Sequence, residues 1–294
     1  MEHSRLSFAL FGNVFQARKS ASIRQVLSCI EDFGAQLYVD REYYDFLTGS
    51  QQLEVSATGV FAGDDFDADF VISMGGDGTF LKAASRVGPK DIPILGVNMG
   101  RLGFLADISP DDISHCLSAL YHDDFSVESR ALIQVEADGQ PLGDFSYALN
   151  DVAILKRDTA SMISIRATIN GQYLNTYQAD GLIVSTPTGS TAYSLSNGGP
   201  IIVPGTRVIA MTAVAPHSLN VRPIVLPDSS LIELDVVSRS HNFLVAIDGR
   251  SEKLAEGTRI TLRRAPYNIK VVKRPDQRYF NTLREKMMWG ADTR

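Results

Sequence analysis

Apolar positions in the first half of the chain fall in short runs separated by amphipathic stretches. Leu6–Phe11 is a nearly continuous apolar run that ends in Gly12-Asn13. From Ser20 to Phe33 the apolar residues stand at 23, 26, 27, 30 and 33, the spacing of one helix face, and Gly34 supplies a stop. Gln36–Val39 predicts a second strand, Phe70–Met74 a buried strand, Thr79–Val87 a helix and Pro93–Val97 another strand. Strand, helix, strand in this rhythm implies right-handed crossovers and a parallel sheet, with a ligand crevice at the carboxyl ends of its strands.

The second half has a different period. Ile163–Ile169 alternates, Asn170-Gly171 offers a tight hairpin turn, and Gln172–Tyr177 returns. Leu231–Val237, Phe243–Ile247, Arg259–Leu262 and Ile269–Val272 are further short strands punctuated by Gly, Pro, Asp and Ser. These features predict a mostly-β, sandwich-like C-terminal domain behind an α/β N-terminal domain with a parallel sheet. Phe280–Trp289 reads as a helix.

Charge supports the division. Residues 1–149 carry 10 Lys+Arg against 22 Asp+Glu, and residues 150–294 carry 18 against 12. The expected domains are therefore 1–149 and 150–279, with the helix at 280–290 packing back on the first. An acidic half followed by a basic half, at a net charge of −6, argues against a nucleic-acid partner, which would need a concentrated basic face. No apolar run approaches a membrane span, since Ile201 to Pro216 is broken by Pro204, Gly205 and Arg207. Two cysteines, Cys29 and Cys116, are too few for a disulfide framework and fit a reducing cytoplasm.

Three segments could carry chemistry. Gly75-Gly76-Asp77-Gly78-Thr79 follows a buried strand and opens a helix, so its backbone amides and helix terminus suit phosphate. It is neither the dinucleotide fingerprint nor a P-loop. A carboxylate inside such a cradle would repel phosphate unless it did chemical work there. It could accept the proton of an attacking hydroxyl, or hold magnesium between phosphates. A tight turn with Thr79 as helix cap is the structural alternative. Asn150-Asp151 pairs an amide with a carboxylate, suited to an adenine edge and a ribose diol, or to a turn. The third segment, from Asp180 to Ser194, runs from a buried strand into a loop rich in hydroxyls and without lysine or arginine. It suits a neutral heterocycle and sugar better than an exposed triphosphate. The five histidines form no ligand spacing and no GxSxG elbow is present, so a histidine metal site and serine hydrolysis lack support.

The chain resembles the bacterial NAD kinases over nearly its full length. The resemblance is carried by GGDGT at 75–79, GRLGFL at 100–105, Asn150-Asp151, DGLIVSTPTGSTAYSLSNGGP at 180–200, PHSLNVRPIV at 216–225 and Asp248-Gly249. GGDGT alone is shared with diacylglycerol and sphingosine kinases, whereas the 180–200 segment is specific. The resemblance implies ATP-dependent phosphorylation of the adenosine 2′-hydroxyl of NAD, a divalent metal, Mg2+ by preference, and a homodimer or homotetramer in which a neighbouring subunit completes the pocket.

It also implies roles for particular residues. Asp77 is the proton acceptor, with Gly78 beside it, and Gly75, Gly76, Gly78 and Thr79 form the phosphate loop. Asn150 and Asp151 hold the adenosine part and Asp180 lies in the NAD pocket. Thr188, Thr191, Ala192, Tyr193, Ser194, Leu195 and Ser196 form the adenine-side wall, and Ser161, Gln178 and Arg250 are contacts at its margin. Three positions depart from many relatives: Asp151 stands where Glu is common, Gln178 where a basic residue is, and Arg250 where Gln follows Asp-Gly.

Overall fold

The structure is a computed structural model that describes residues 5–15, 19–100, 102–143, 146–158, 161–273 and 279–288. The chain divides into two compact units, residues 1–129 with 269–294, and residues 130–268. These boundaries differ from the charge change at 149/150, because a strand at Ser126–Ala137 pairs with short strands Gln140–Pro141 and Tyr147–Ala148 ahead of it.

In the first unit, strands β1 (Ser7–Gly12), β2 (Gln36–Asp40), β3 (Gly59–Phe61), β4 (Phe70–Gly75) and β5 (Ile94–Asn98) make a parallel sheet in the order β5-β4-β1-β2-β3. Every residue of β4 and β5 is buried, as expected of inner strands covered on both faces. Helix α1 (Ser20–Asp32) buries Ile23, Val26 and Ile30, the face its spacing predicts. Helices α2 (Arg41–Asp45), α3 (Asp77–Val87) and α4 (Ile113–Tyr121) follow β2, β4 and the loop after β5. Helix α3 starts two residues before the predicted Thr79. Gly76, extended at φ −113° and ψ −169°, is its N-cap, so Thr79 is not the cap.

The second unit is antiparallel. Strands β6 (Ser126–Ala137), β7 (Gln140–Pro141) and β8 (Tyr147–Ala148) lead into two layers. One layer contains β10 (Ile163–Ile169), β11 (Gln172–Ala179), β15 (Ile232–Val237) and the first part of β18 (Arg259–Lys273), in the order β11-β10-β15-β18. The other contains β9 (Asp151–Lys156), β12 (Gly181–Ser185), β13 (Val208–Val214), β14 (Ile224–Pro227), β16 (Asn242–Ile247) and β17 (Arg250–Ala255), in the order β14-β13-β12-β9-β16-β17. A single helical turn, α5 (Tyr193–Ser196), lies between β12 and β13. Ile165, Leu234 and Leu262 of one layer meet Ile154, Val184, Met211 and Phe243 of the other in a shared core, the predicted sandwich.

The β10–β11 turn has Asn170 and Gly171 at φ 50° and 78°, as the Asn-Gly pair predicts. One expectation fails: Arg259–Leu262 and Ile269–Val272 are not separate strands but the two ends of β18. The intervening residues contain Pro266 and alternate imperfectly, which hides the continuity from a period-two reading. The predicted helix near the C-terminus is α6 (Tyr279–Met287), within the first unit, and Trp289 lies outside the described residues.

Candidate active site

The first unit contributes a carboxylate and a cradle. β4 runs out at Gly75 and the chain turns directly into α3, so Asp77 is the first residue of the helix. The Thr79 and Phe80 N–H groups both donate to the Gly76 carbonyl, at 3.0 and 3.1 Å, which leaves the amides of Asp77 and Gly78 without intrahelical acceptors. They belong to the helix terminus that favours anions. An open pocket of about 300 Å3 lies there, lined by Gly12, Asn13, Val14, Phe15, Glu42, Gly76, Gly78, Thr79 and Lys82. Lys82 stands one helical turn beyond Thr79 and forms an ion pair with Glu42 of α2. The carboxyl ends of β1 and β4 therefore frame a phosphate-sized opening that carries its own cation. Sequence reasoning missed this lysine because it sought one immediately after the glycines. Its signal was the i, i+3 spacing from Thr79.

Asp77 itself turns toward the loop after β5. Its Oδ1 accepts the amides of Leu105 and Ala106 at 3.0 Å each, and Oδ2 accepts that of Phe104 at 3.0 Å and stands 3.4 Å from Lys286 Nζ of α6. Gly103 packs so closely that a Cβ there would overlap the Asp77 carboxylate, which is why the GRLGFL segment needs glycine at that point. Arg101 of the same segment lies outside the described residues. From the far side, Asp107 forms a buried ion pair with Lys273, which ties the loop to the last strand. Burial pushes the Asp77 carboxyl upward, but the amides of Ala106, Phe104 and Leu105 and the Lys286 ammonium outweigh it and hold the pKa below the ordinary aspartate value. Asp77 is thus held in its ionised, proton-accepting form at neutral pH.

The second unit repeats the device with another aspartate. Asp248 and Gly249 form the two-residue turn between β16 and β17, at φ 47° and 83°. From that left-handed position the Asp248 carboxylate accepts the amides of Leu149 (2.8 Å), Asn150 (2.8 Å) and Asp151 (3.1 Å). The Asn150 carbonyl accepts the Thr186 amide at 2.9 Å, and Thr186 Oγ1 donates to the Leu149 carbonyl at 2.6 Å. Gly189 lies flat against the Asn150 backbone, with no room for a Cβ. Asn150, Asp151, Thr186, Thr188 and Gly189 are thereby brought together, and the role of Asp248 was hidden in the sequence because an Asp-Gly pair reads simply as a turn.

Other predicted residues are placed differently. Asp180 pairs with Lys156 at 2.7 Å, a cation that sequence reasoning did not connect to it. Ser194 is fully buried and shares a hydrogen bond with Thr212 at 2.9 Å, and Thr188 Oγ1 accepts from Arg130 at 3.3 Å, so both hydroxyls serve the wall's interior. Tyr193 presents its ring, 40% exposed, while Thr191, Ala192 and Leu195 are half-buried and Ser196 is exposed. Gln178 donates to Ser164 at 3.0 Å, Ser161 is half-buried at the start of the segment before β10, and Arg250 lies next to Gly249 with its charge near Asp248.

Burial, and then the neighbouring Asp248 charge, raise the Asp151 pKa to about 7 against a hydrogen bond from the Tyr193 backbone. Burial also raises that of Asp248, opposed by its three amides. The folded state therefore binds this proton more tightly than the unfolded chain. The associated stability is complete below about pH 4 and is lost as pH rises through 7. Asp151→Asn is expected to abolish most of a pH-dependent loss whose upper bound is about 4 kcal/mol. Melting curves of both proteins at pH 5 and pH 8 check this, and equal pH sensitivity would contradict it.

Residues 20–125 match the ATP-NAD kinase N-terminal domain and residues 149–274 the ATP-NAD kinase C-terminal domain. The chain is 59% identical over 289 residues to the NAD kinase of Bacteroides fragilis, covering 98% of this chain and 100% of that protein. The chain belongs to the NAD kinase family. The NAD kinase of Porphyromonas gingivalis is 45% identical over 286 residues, 97% of this chain and 99% of that protein. Two solved NAD kinase family structures share the fold at 22% identity. Yeast NADH kinase complexed with NADH gives a TM-score of 0.88, covering 99% of this chain and 89% of that one. The Archaeoglobus fulgidus NAD kinase in complex with ATP gives 0.76, covering 96% and 99%. The family thus spans both units, and the GGDGT cradle and the Asn150–Asp151 segment are parts of one NAD kinase chain.

Proposed function

We propose that this chain transfers the γ-phosphate of ATP to the 2′-hydroxyl of the adenosine part of NAD, giving NADP and ADP. The observation that carries the reading is Asp77: an ionised carboxylate, fixed by three amides, at the first residue of a helix whose terminus opens on a phosphate-sized pocket. A pure binding site gains nothing from a fixed anion beside phosphates, whereas a hydroxyl awaiting phosphorylation needs an acceptor for its proton. The low pKa of Asp77 suits a loose transition state, in which the nucleophile's proton moves late and orientation matters more than base strength.

The ATP phosphates sit against the amides of Gly78 and its neighbours, with Gly75, Gly76 and Thr79 shaping the turn and Lys82 supplying charge. Asn150 and Asp151 hold adenosine. With its pKa raised to about 7 by burial and the Asp248 charge, the Asp151 carboxyl can accept from a ribose hydroxyl when ionised and donate to one when protonated. In this reading Asp180 and the Thr188–Ser196 segment complete the adenosine site, and the Tyr193 ring, 40% exposed, packs on a base. Ser161, Gln178 and Arg250 stay at its margin.

No group of three or more His, Cys, Asp or Glu side chains that could hold a metal ion occurs among the described residues. We read the divalent ion, Mg2+ in this chemistry, as arriving on the triphosphate. No described helix is long and apolar enough to cross a membrane; the cytoplasmic location is proposed from the two-cysteine composition alone. The homo-oligomer reading is supported by apolar residues at sheet margins, among them Val225 on edge strand β14 and Leu219 just before it, 46% and 87% exposed.

Mixing the protein with ATP, Mg2+ and NAD tests the function. Equal yields of ADP and NADP are expected, and binding of NAD without ADP release would mark a sensor instead. Lys82→Ala separates the two substrates: KM for ATP should rise about tenfold or more while KM for NAD changes little, since one charge-assisted contact to phosphate is worth roughly 1.5–3 kcal/mol. An unchanged KM for ATP would remove Lys82 from the cradle.

A further inference from the structure

Helix α6 brings a cation to Asp77. Thr282 and Leu283 bury one side of the helix, the Tyr279 ring lies 6.2 Å from that of Phe104, and Lys286 Nζ sits 4.6 Å from the centre of the Phe104 ring. The same ammonium stands 3.4 Å from Asp77 Oδ2. A carboxylate offers about four acceptor directions, and here the amides of Phe104, Leu105 and Ala106 and the Lys286 ammonium fill them.

The four contacts are unequal. The three amides come from consecutive residues of one pinned loop, each at 3.0 Å. The ammonium contact is longer, and it hangs on a flexible four-carbon stem whose side chain is 32% exposed. A hydroxyl that reaches Asp77 therefore has one direction open to it, the one that Lys286 occupies.

We propose that Lys286 is a positioning residue for the phosphoryl transfer: it holds Oδ2 of Asp77 in the resting enzyme, yields that place to the substrate hydroxyl, and stays beside the reacting oxygen as a balancing cation. The inference rests on Asp77 being the acceptor in the proposed reaction. In that step the hydroxyl proton passes to Asp77 Oδ2 and the ribose oxygen bonds to the γ-phosphorus. The bond from phosphorus to the ADP oxygen breaks, and ADP leaves with its electron pair. Nothing is oxidised or reduced.

Geometry supports the last part. A hydroxyl oxygen about 2.7 Å from Oδ2 takes the place of an ammonium that rests 3.4 Å from the same atom, and the ammonium, 4.6 Å from the centre of the Phe104 ring, then stays within a few ångströms of the reacting oxygen. At that range, in a site partly shielded from water, a fixed positive charge stabilises charge that develops on the transferred group. Among the described residues, Lys286 is the charged side chain that bears on Asp77. The other groups facing the pair are the three amides and the Phe104 ring, and Arg284 on the same helix turns to Asn281.

Lys286→Met and Lys286→Arg in the full-length enzyme test this, by steady-state kinetics with NAD and ATP from pH 4 to 9 and by thermal melting. The Met variant is expected to lose at least tenfold in kcat, with KM for NAD changed less than threefold. The acid limb of its kcat/KM profile should move to higher pH, because Asp77 loses its counterion. The Arg variant should stay within threefold of the parent. A Met variant with the parent's kcat and acid limb overturns the inference, as does an Arg variant that melts normally yet is as slow as Met. A parent enzyme that makes no NADP refutes the reaction itself, which is a separate failure.

Discussion

Asp77→Asn is expected to lower kcat by ~10²–10⁴-fold while NAD binding stays measurable, the loss typical when a positioned general base is removed. The effect is large because the carboxylate serves two ends. Toward substrate it accepts a proton, which a neutral amide cannot do. Toward the protein it accepts three amides and an ammonium. Asparagine keeps one acceptor oxygen but turns an NH2 group toward backbone donors, which costs about 1–3 kcal/mol for each donor left unsatisfied. Melting curves separate the two losses: kcat should fall much further than reduced stability can explain at a temperature where the variant is folded. Near-parental kcat in a folded variant would leave Asp77 a structural residue only.

Asp248→Ala is the second large effect. The carboxylate of half-buried Asp248 is the acceptor for three consecutive amides of the Leu149–Asp151 segment. Removing it strands those donors where water enters poorly, so about 3–6 kcal/mol of stability should be lost. At about 2–4 °C per kcal/mol, the melting temperature should fall by roughly 10–20 °C. KM for NAD should rise as well, since Asn150 and Asp151 lose the group that orders their backbone. Asp248→Asn keeps one oxygen and should fall between the two. A fully stable Asp248→Ala protein with parental KM would show that the segment is ordered by other contacts, with Thr186 the first to consider.

Much of this was legible in the residues. The parallel sheet was readable because β1, β2, β4 and β5 are short apolar runs bounded by glycine, asparagine or proline, and α1 because its apolar spacing is regular. The hairpin at Asn170-Gly171 was readable because both residues take left-handed backbone at little cost. The GGDGT loop betrayed its chemistry through Asp77, which no turn requires.

What stayed hidden depends on contacts distant in sequence. Lys286 lies 209 residues from Asp77 and Asp248 lies 98 from Asn150, and no local periodicity reports such pairings. β18 was split because its middle residues do not alternate strictly, although its ends do. The resemblance puts Ser194 on a ligand wall, and its hydroxyl in α5 is shared with Thr212 of β13, a pairing 18 residues away that the loop's composition does not report. Composition names the donors, and only packing decides which of them face inward.

The most direct measurement is a crystal structure of the enzyme with NAD bound. One oxygen of Asp77 is predicted to lie within about 2.6–3.2 Å of the adenosine 2′-oxygen, with Lys286 displaced from Oδ2. A carboxylate still saturated by residues 104–106 and Lys286, with the 2′-oxygen beyond hydrogen-bonding reach, would contradict the assignment of Asp77 as the proton acceptor.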